Sequence, residues 1–227
     1  MSALSIQMTL QKLGHYEGKL DGAFGPKSQA ALKNALMAGL NTPIGSADVN
    51  TVAESMGIEP AKIWAVRDVE ASANAFTDGL PTILFEPHVF SRLTDHKYDS
   101  SNRDLSSRSW NPKLYPGSQS GRWNQLLKAS ALDVDAALSA ASYGAFQILG
   151  TNFAVCGYPS VWDFVYAQAQ TEKDQLLAFM DFCNGNKLTP ALKAGNWAAF
   201  ARGYNGPKYA ENQYDKKLAA AYAKRRK

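Results

Sequence analysis

The sequence contains few residues that hold metals or cross-link chains. It has 2 cysteines and 3 histidines among 227 residues. The histidines, at positions 15, 88 and 96, are scattered and lack the spacing of metal ligands, so neither a metal nor any other cofactor is predicted. Cys156 and Cys183 lie in apolar stretches. We interpret them as reduced core residues, with a single disulfide as the alternative.

Long apolar runs and a strong charge imbalance are also missing. No stretch approaches the ~20 apolar residues of a membrane-spanning helix. The N-terminus, MSALSIQMTLQKLG, has neither the basic start nor the apolar core of a signal peptide, so we expect a soluble protein made in the cytoplasm. The net charge of +4 does not indicate nucleic acid as a partner. What is present, 45% hydrophobic and 11% aromatic residues, is ample for a packed core.

The pattern of apolar residues and breakers predicts a mainly α-helical chain in two units. Residues 1–44 form a small helical unit, NTPIGSADVN is the linker, and residues 46–227 form the larger unit. In the first unit an amphipathic helix uses Leu4, Met8 or Ile6, Leu10 and Leu13. A glycine-punctuated loop follows, with Asp21 as a turn residue and Phe24 as an apolar plug, and Pro26 opens a second helix.

The stretch IWAVRDVEASANAF carries the candidate catalytic acid, Glu70. Ile63, Val66 and Glu70 stand at i, i+3 and i+7, which places a carboxylate on an apolar stripe. We expect this helix to end near Asn74, so both burial and the helix dipole raise the pKa of Glu70. A carboxyl that stays protonated near neutral pH suits a general acid. The alternative is a surface glutamate paired with Arg67.

A second carboxylate follows on a predicted short strand, Thr82 to Glu86. Alternation places Glu86 on the face of Thr82 and Leu84, opposite Ile83 and Phe85. The spacing alone favours a salt bridge at the rim of a cleft for this residue. Asp78 is a weaker candidate, because turn chemistry before a glycine explains it.

The middle of the chain offers further ligand-binding candidates. Residues 96–121 are polar and include aromatic residues that either stack on sugar rings or anchor the loop to the core: Tyr98, Trp110, Tyr115 and, just beyond, Trp123. A helix is predicted from Leu132 to Ala141. In the next segment, Gly144 would let the backbone approach a ligand, and Gln147 either binds that ligand or caps a buried loop.

The last third of the chain is predicted to be helical. Capping boxes start helices at Ser160 and Thr171, and residues 204–207, Tyr-Asn-Gly-Pro, form a turn. The chain ends in a basic helix, KKLAAAYAKRRK, with Leu218 and Tyr222 on one face. This tail is either a solvated helix or an electrostatic contact for anionic envelope polymers.

Two resemblances bear on function. The segment LQKLGHYEGKLDGAFGPKSQAAL resembles the peptidoglycan-binding repeat of cell-wall hydrolases, without the second glycine-rich half that such domains usually carry. The resemblance implies wall binding by residues 1–44 and assigns Tyr16, Asp21 and Phe24 to that binding unit.

Three later segments, AVRDVEASANAF, SYGAFQILGTNF and FARGYNGPKYAENQYDKKLAAAY, occur in the same order in the lysozyme-like superfamily. With LPTILFEPHVF they resemble the N-acetylmuramidase domain of bacteriophage endolysins. The resemblance implies a lysozyme-like helical catalytic domain with a short β-hairpin. It implies that Glu70 is the general acid, that Glu86 is its candidate partner, and that the substrate-binding residues are Gln147, Tyr204, Asn205 and Tyr214.

The resemblance further implies a monomeric endolysin of a phage with Gram-negative hosts. It would hydrolyse the β-1,4 bond between N-acetylmuramic acid and N-acetylglucosamine in peptidoglycan. It would wait in the host cytoplasm until a holin opens the membrane, and then act on the wall in the periplasm, where the basic tail would contact lipopolysaccharide. The alternatives are a lytic transglycosylase, which leaves anhydro-muramic ends, and a non-catalytic wall-binding or virion protein.

Overall fold

The computed structural model describes residues 1–70 and 74–226. The first unit pairs α1 (Ala3–Lys12) with α2 (Pro26–Met37). Ser2 caps α1 by accepting a hydrogen bond from the Ser5 N–H at 3.1 Å, and Pro26 occupies the first turn of α2. Ile6 and Leu10 are fully buried on the inner face of α1, whereas Met8 is 44% exposed. Ile6, and not Met8, is therefore the core residue of the predicted pair.

The segment predicted as a linker is packed against the larger unit. The N–H of Asn41 donates to the Gln170 carbonyl at 2.8 Å, and the N–H of Glu172 donates to the Thr42 carbonyl at 2.9 Å. Ile44 is buried. A Cβ at Gly39 would lie 1.9 Å from the Ala169 carbonyl oxygen, so only glycine permits this approach. The two units therefore share one hydrophobic core.

The larger unit opens with α3 (Ser46–Met56) and α4 (Pro60–Glu70), which are separated by a left-handed Gly57. Ile63 and Val66 of α4 are fully buried, as their spacing predicts. The predicted continuation of α4 through residues 71–73 lies outside the described residues.

Two small antiparallel sheets follow. β1 (Phe76–Thr77) and β2 (Leu80–Pro81) form a hairpin closed by Asp78 and Gly79, both with positive φ. β3 (Ile83–Phe85), β4 (Ala141–Tyr143) and β5 (Ile148–Leu149) form the second sheet in the order β3-β4-β5. The predicted strand is correct at its centre, but Glu86 lies beyond it and precedes α5 (Pro87–Leu93) as the N-cap residue.

Helices make up most of the remainder. A long loop with a 3-10 turn at Pro112–Leu114 leads to α6 (Gln119–Leu132) and α7 (Val134–Ser139). The single helix predicted from Leu132 to Ala141 is correct only over Val134–Ser139. Asp133 interrupts it and caps α7 by accepting from the Ala136 N–H at 2.9 Å, and Ala141 already belongs to β4.

The C-terminal part contains a 3-10 turn at Gly150–Asn152 and then α8 (Val161–Gln168), α9 (Glu172–Gly185), α10 (Thr189–Ala194), α11 (Trp197–Tyr204) and α12 (Tyr214–Arg225). Both predicted caps are confirmed: Ser160 accepts from the Asp163 N–H at 3.2 Å, and Thr171 accepts from the Asp174 N–H at 3.1 Å. α12 packs along α4 and against α11. The fold is mainly helical, as predicted.

Cys156 and Cys183 are free and buried, as the preferred interpretation has it. Burial raises the pKa of the Cys156 thiol to about 12. Neither thiol is therefore a reactive nucleophile at neutral pH. Among the described residues, no helix is both long and apolar enough to cross a bilayer.

Candidate active site

A cleft of about 570 Å³ lies between α4, the β3-β4-β5 sheet and the α11–α12 turn. It collects all six residues assigned to catalysis and substrate binding: Glu70, Glu86, Gln147, Tyr204, Asn205 and Tyr214. These positions run from 70 to 214 in the sequence but line one depression, which has room for a sugar ring and its substituents.

Glu70 is the last described residue of α4 and reaches the cleft from the end of an otherwise apolar stripe. Burial raises the pKa of Glu70 to about 7, against opposing effects of the Asn205 amide and the Lys217 ammonium. The alternative pairing with Arg67 does not occur, because Arg67 forms its ion pair with the buried Glu172. Glu70 can therefore be protonated at neutral pH.

Asn205 orients this carboxyl group. It terminates α11, and the left-handed Gly206 then turns the chain away. Its Nδ2 donates to Oε1 of Glu70 at 2.8 Å. Its Oδ1 is buried and has no hydrogen-bond partner among the described residues. A buried acceptor without a donor is costly, so this oxygen is a natural contact for a ligand group.

Glu86 faces the same cleft in a different environment. The Tyr115 hydroxyl donates to its Oε2, and His88 Nδ1 lies 3.3 Å from that oxygen. Burial raises the pKa of Glu86, and the Tyr115 hydrogen bond opposes this rise. Burial and the neighbouring Arg92 lower the pKa of His88, so its imidazole is neutral near pH 7. The predicted rim salt bridge is therefore not formed, because the partners of Glu86 are uncharged.

The β4–β5 turn differs in part from its prediction. Gln147 lines the cleft, and its Nε2 donates to the Gly144 carbonyl at 2.8 Å, so it caps this turn as the second interpretation predicts. Gly144 packs closely against a neighbouring side chain. A Cβ there would lie 2.4 Å from the side chain of Gln175, which is fixed because its Oε1 accepts from the Ala145 N–H at 2.7 Å. Internal packing therefore explains this glycine.

Two tyrosines complete the wall of the cleft. Tyr204 stacks on Phe200 with a centroid separation of 5.2 Å, and its hydroxyl donates to the Phe146 carbonyl at 2.6 Å. Tyr204 is thus held rigidly. Burial raises the pKa of Tyr214, with further contributions from both Glu70 and Glu86, so its hydroxyl lies within electrostatic reach of both carboxylates.

The aromatic residues of the long loop divide between the two expected roles. Trp123 is buried and donates to the Pro81 carbonyl at 3.0 Å, and Tyr98 donates to the Leu132 carbonyl at 3.0 Å. Trp110, by contrast, lines the cleft and is 63% exposed. Tyr115 lies 6.2 Å from it between ring centroids. Sequence patterns gave no sign that Tyr115 would hold Glu86, because the contact joins positions far apart in the chain.

The three residues assigned to the wall-binding unit mainly shape its loop. Tyr16 is 6% exposed and Phe24 5% exposed, and the Tyr16 hydroxyl donates to the Lys19 carbonyl at 2.9 Å. Asp21 accepts from the Ala23 N–H at 2.9 Å, a turn contact. A groove of about 380 Å³ runs beside Tyr16, and its rim includes the exposed Lys27 and Asn34.

The basic tail is partly docked. Arg225 donates twice to the Asp68 carboxylate, at 2.7 Å each, and its guanidinium lies 5.2 Å from the Trp64 ring centroid. The Tyr222 hydroxyl donates to Glu59 at 2.7 Å. Exposed cations on the described part of the tail include Lys216, Lys217, Lys224 and Arg226. The last residue, Lys227, lies outside the described residues.

Known families and solved structures include proteins that are similar to this chain. The N-acetylmuramidase family matches residues 59–226. Among solved structures, the Burkholderia AP3 phage endolysin is similar with a TM-score of 0.73 and 30% identity, over 98% of this chain and 94% of that one. A search among curated proteins found no match.

The family match covers most of the chain and includes the cleft, and the structural likeness extends over both units. The predicted muramidase of the phage-endolysin type, a glycoside hydrolase acting on peptidoglycan, is thereby confirmed. The chain belongs to the N-acetylmuramidase family.

Proposed function

We propose that this enzyme hydrolyses the β-1,4 bond between N-acetylmuramic acid and N-acetylglucosamine, with Glu70 as the general acid. The observation that carries the proposal is the carboxyl group of Glu70, which has a pKa of about 7 and lies in the cleft. Its Oε1 accepts from Asn205, which leaves Oε2 to carry the proton towards the glycosidic oxygen. Proton transfer would accompany an oxocarbenium-like centre at the muramic acid anomeric carbon.

Glu86 is the proposed base. Its Oε2 is occupied by Tyr115, and its other oxygen is available to hold and deprotonate a water. Two carboxylates in unlike environments can take opposite roles, because the more strongly desolvated one keeps its proton. Substrate contacts are assigned to Gln147, Tyr204, Tyr214 and Oδ1 of Asn205. That oxygen has no partner within residues 1–70 and 74–226, and a sugar hydroxyl or acetamido N–H would satisfy it. Asp78 is not a candidate, because it serves the β1–β2 turn.

Mass spectrometry of digested sacculi tests the reaction. Hydrolysis gives reducing muramic acid ends. A lytic transglycosylase uses the same acid but lets the sugar's own 6-hydroxyl attack, which gives anhydro ends lighter by one water. Anhydro products would overturn the proposed hydrolysis.

We further propose that residues 1–44 bind peptidoglycan and that residues 46–227 cleave it. The enzyme, as a monomer, would remain in the host cytoplasm until a holin releases it to the periplasmic wall. The free cations of α12 would contact lipopolysaccharide. Support comes from the groove beside Tyr16 and from the exposed lysines of the tail.

A further inference from the structure

One buried carboxylate outside the cleft has no part in the proposed chemistry. Glu172, the first residue of α9, is 1% exposed. Its Oε1 pairs with Arg67, and its Oε2 accepts from the Ile44 N–H at 3.1 Å. Burial of a carboxylate with a single ion-pair partner costs desolvation free energy, and the proposed chemistry does not account for this cost.

The partner of Glu172 stands next to the proposed acid. Arg67 precedes Glu70 by three residues on α4, and side chains three apart on a helix are neighbours. The guanidinium also lies 5.6 Å from the Trp64 ring centroid, on the side of Arg67 away from Glu70. Without Glu172, one uncompensated positive charge would stand within one helical turn of Glu70.

We propose that Glu172 is a positioning residue that neutralises Arg67 and holds its guanidinium away from Glu70, so that the Arg67 charge does not stabilise the ionised form of the acid. This role rests on the proposed function of Glu70. An opposite charge within a few ångströms favours the ionised carboxylate, which is the form that cannot donate a proton.

The other groups that face Glu70 do not replace this pair. Lys217 on α12 favours the anion, but its side chain is exposed and therefore screened by solvent. The remaining polar groups around Glu70 in the described part of the chain carry no positive charge. They are Asn205 and the Tyr204 phenol at α11, the Tyr214 phenol on α12, and Glu86 across the cleft. On another face of α4, Asp68 is already neutralised by Arg225.

The test compares Glu172→Gln with the double variant Arg67→Gln/Glu172→Gln. Glutamine keeps an oxygen that accepts from the Ile44 N–H, so the packed segment retains its contact. The carboxyl of Glu70 is titrated by NMR in 13C-glutamate-labelled protein, and its signal is assigned by its absence in Glu70→Gln. We expect the pKa of Glu70 to fall by roughly half a unit to one unit in Glu172→Gln. It should return close to the wild-type value in the double variant.

An unchanged Glu70 titration in Glu172→Gln, or a lowered pKa that persists in the double variant, would overturn the proposal. If Glu172→Gln does not fold, Arg67→Gln is the deciding variant. It leaves the buried Glu172 carboxylate without its cation beside α4, so we expect the pKa of Glu70 to rise. An unchanged or lowered pKa of Glu70 would refute the role of the pair. The alkaline limb of activity should move with the NMR value. A shifted titration with an unshifted activity profile would support the positioning role and count against Glu70 as the acid.

Discussion

Asn205 donates a hydrogen bond from Nδ2 to Oε1 of Glu70 at 2.8 Å, across 135 residues of sequence. The bond favours the ionised carboxylate, whereas burial favours the protonated form, and the balance leaves the pKa of Glu70 near 7. Burial therefore sets the raised pKa of the proposed acid, and Asn205 orients its carboxyl group and limits the rise.

Replacing Asn205 with alanine should lower turnover of purified sacculi by roughly tenfold to a hundredfold, because the hydrogen bond to the carboxylate that forms as Glu70 gives up its proton is lost. The alkaline limb of activity should move to higher pH, since the group that lowers the pKa of Glu70 is gone. Asn124→Ala, at an exposed position of α6, is the matched control. A pH profile identical to that of the wild type would show that Asn205 does not govern the acid.

Glu70→Gln keeps the shape of the side chain and removes the transferable proton. Turnover should fall by at least about a hundredfold while the circular dichroism spectrum is unchanged. Glu54→Gln, on the exposed face of α3, makes the same chemical change away from the cleft. Clearing of sacculi at a near wild-type rate by Glu70→Gln would refute the assignment.

Glu70→Gln should also change how the free energy of unfolding depends on pH. The pKa of Glu70 rises from 4.5 to about 7 on folding. Its contribution to the free energy of unfolding is therefore fully present below pH 4.5 and is lost as pH rises through 7. Between pH 4 and pH 8 the wild type should lose up to about 3 kcal/mol of unfolding free energy relative to Glu70→Gln. Urea denaturation at both pH values measures the difference.

Glu86→Gln should remove most turnover, because the amide cannot deprotonate a water. Product analysis belongs to the same experiment. Glu211→Gln, exposed in the loop before α12, is the control. If Glu86→Gln stays active and still yields reducing ends, hydrolysis stands and the base lies elsewhere.

The wall-binding proposal is best tested by substitution. Deleting residues 1–44 would expose the surface that Asn41, Thr42 and Ile44 cover, so folding would be lost together with binding. Lys27→Ala/Asn34→Ala at the groove rim should reduce co-sedimentation with sacculi severalfold and leave cleavage of short soluble fragments unchanged. Lys33→Ala, exposed elsewhere on α2, is the control. Equal loss on both substrates would make this unit part of the catalytic core.

For the basic tail, Lys224→Gln/Arg226→Gln removes two exposed charges and leaves the Arg225–Asp68 ion pair intact. Lysis of intact Gram-negative cells from outside should fall, activity on bare sacculi should be unchanged, and the wild-type advantage should fade with salt. Lys12→Gln/Lys33→Gln is the control, because it removes two positive charges from the first unit instead of the tail. Equal lysis of intact cells by the wild type and the tail variant would leave α12 without a role in envelope contact.

The local patterns of the sequence predicted much of this architecture. The apolar stripe of α4, the caps at Ser160 and Thr171 and the Asp78-Gly79 turn all depend on neighbours within a few residues, which spacing reveals. The break at Asp133 was missed because alanine-rich flanks outweigh one cap residue in such patterns.

Contacts between distant positions could not be predicted in this way. The Arg67–Glu172 ion pair and the Tyr115–Glu86 hydrogen bond each join separate elements. Residue spacing therefore predicted an ion pair between Arg67 and Glu70 and a salt bridge at Glu86. It could consider only partners that are nearby in the sequence. The resemblance to muramidases supplied what spacing lacked, since it brought Gln147, Tyr204, Asn205 and Tyr214 to one site.

The contact between α4 and α12 has a consequence for how the enzyme is made. Tyr214 forms part of the cleft wall. Arg225 binds Asp68 on the helix that bears Glu70, and Tyr222 binds Glu59 just before that helix. Domains fold during synthesis from the N-terminal side, so α4 exists on the ribosome well before α12 emerges. The cleft wall is therefore incomplete until Tyr214 has emerged, and a nascent chain halted before that point would carry Glu70 without a finished cleft.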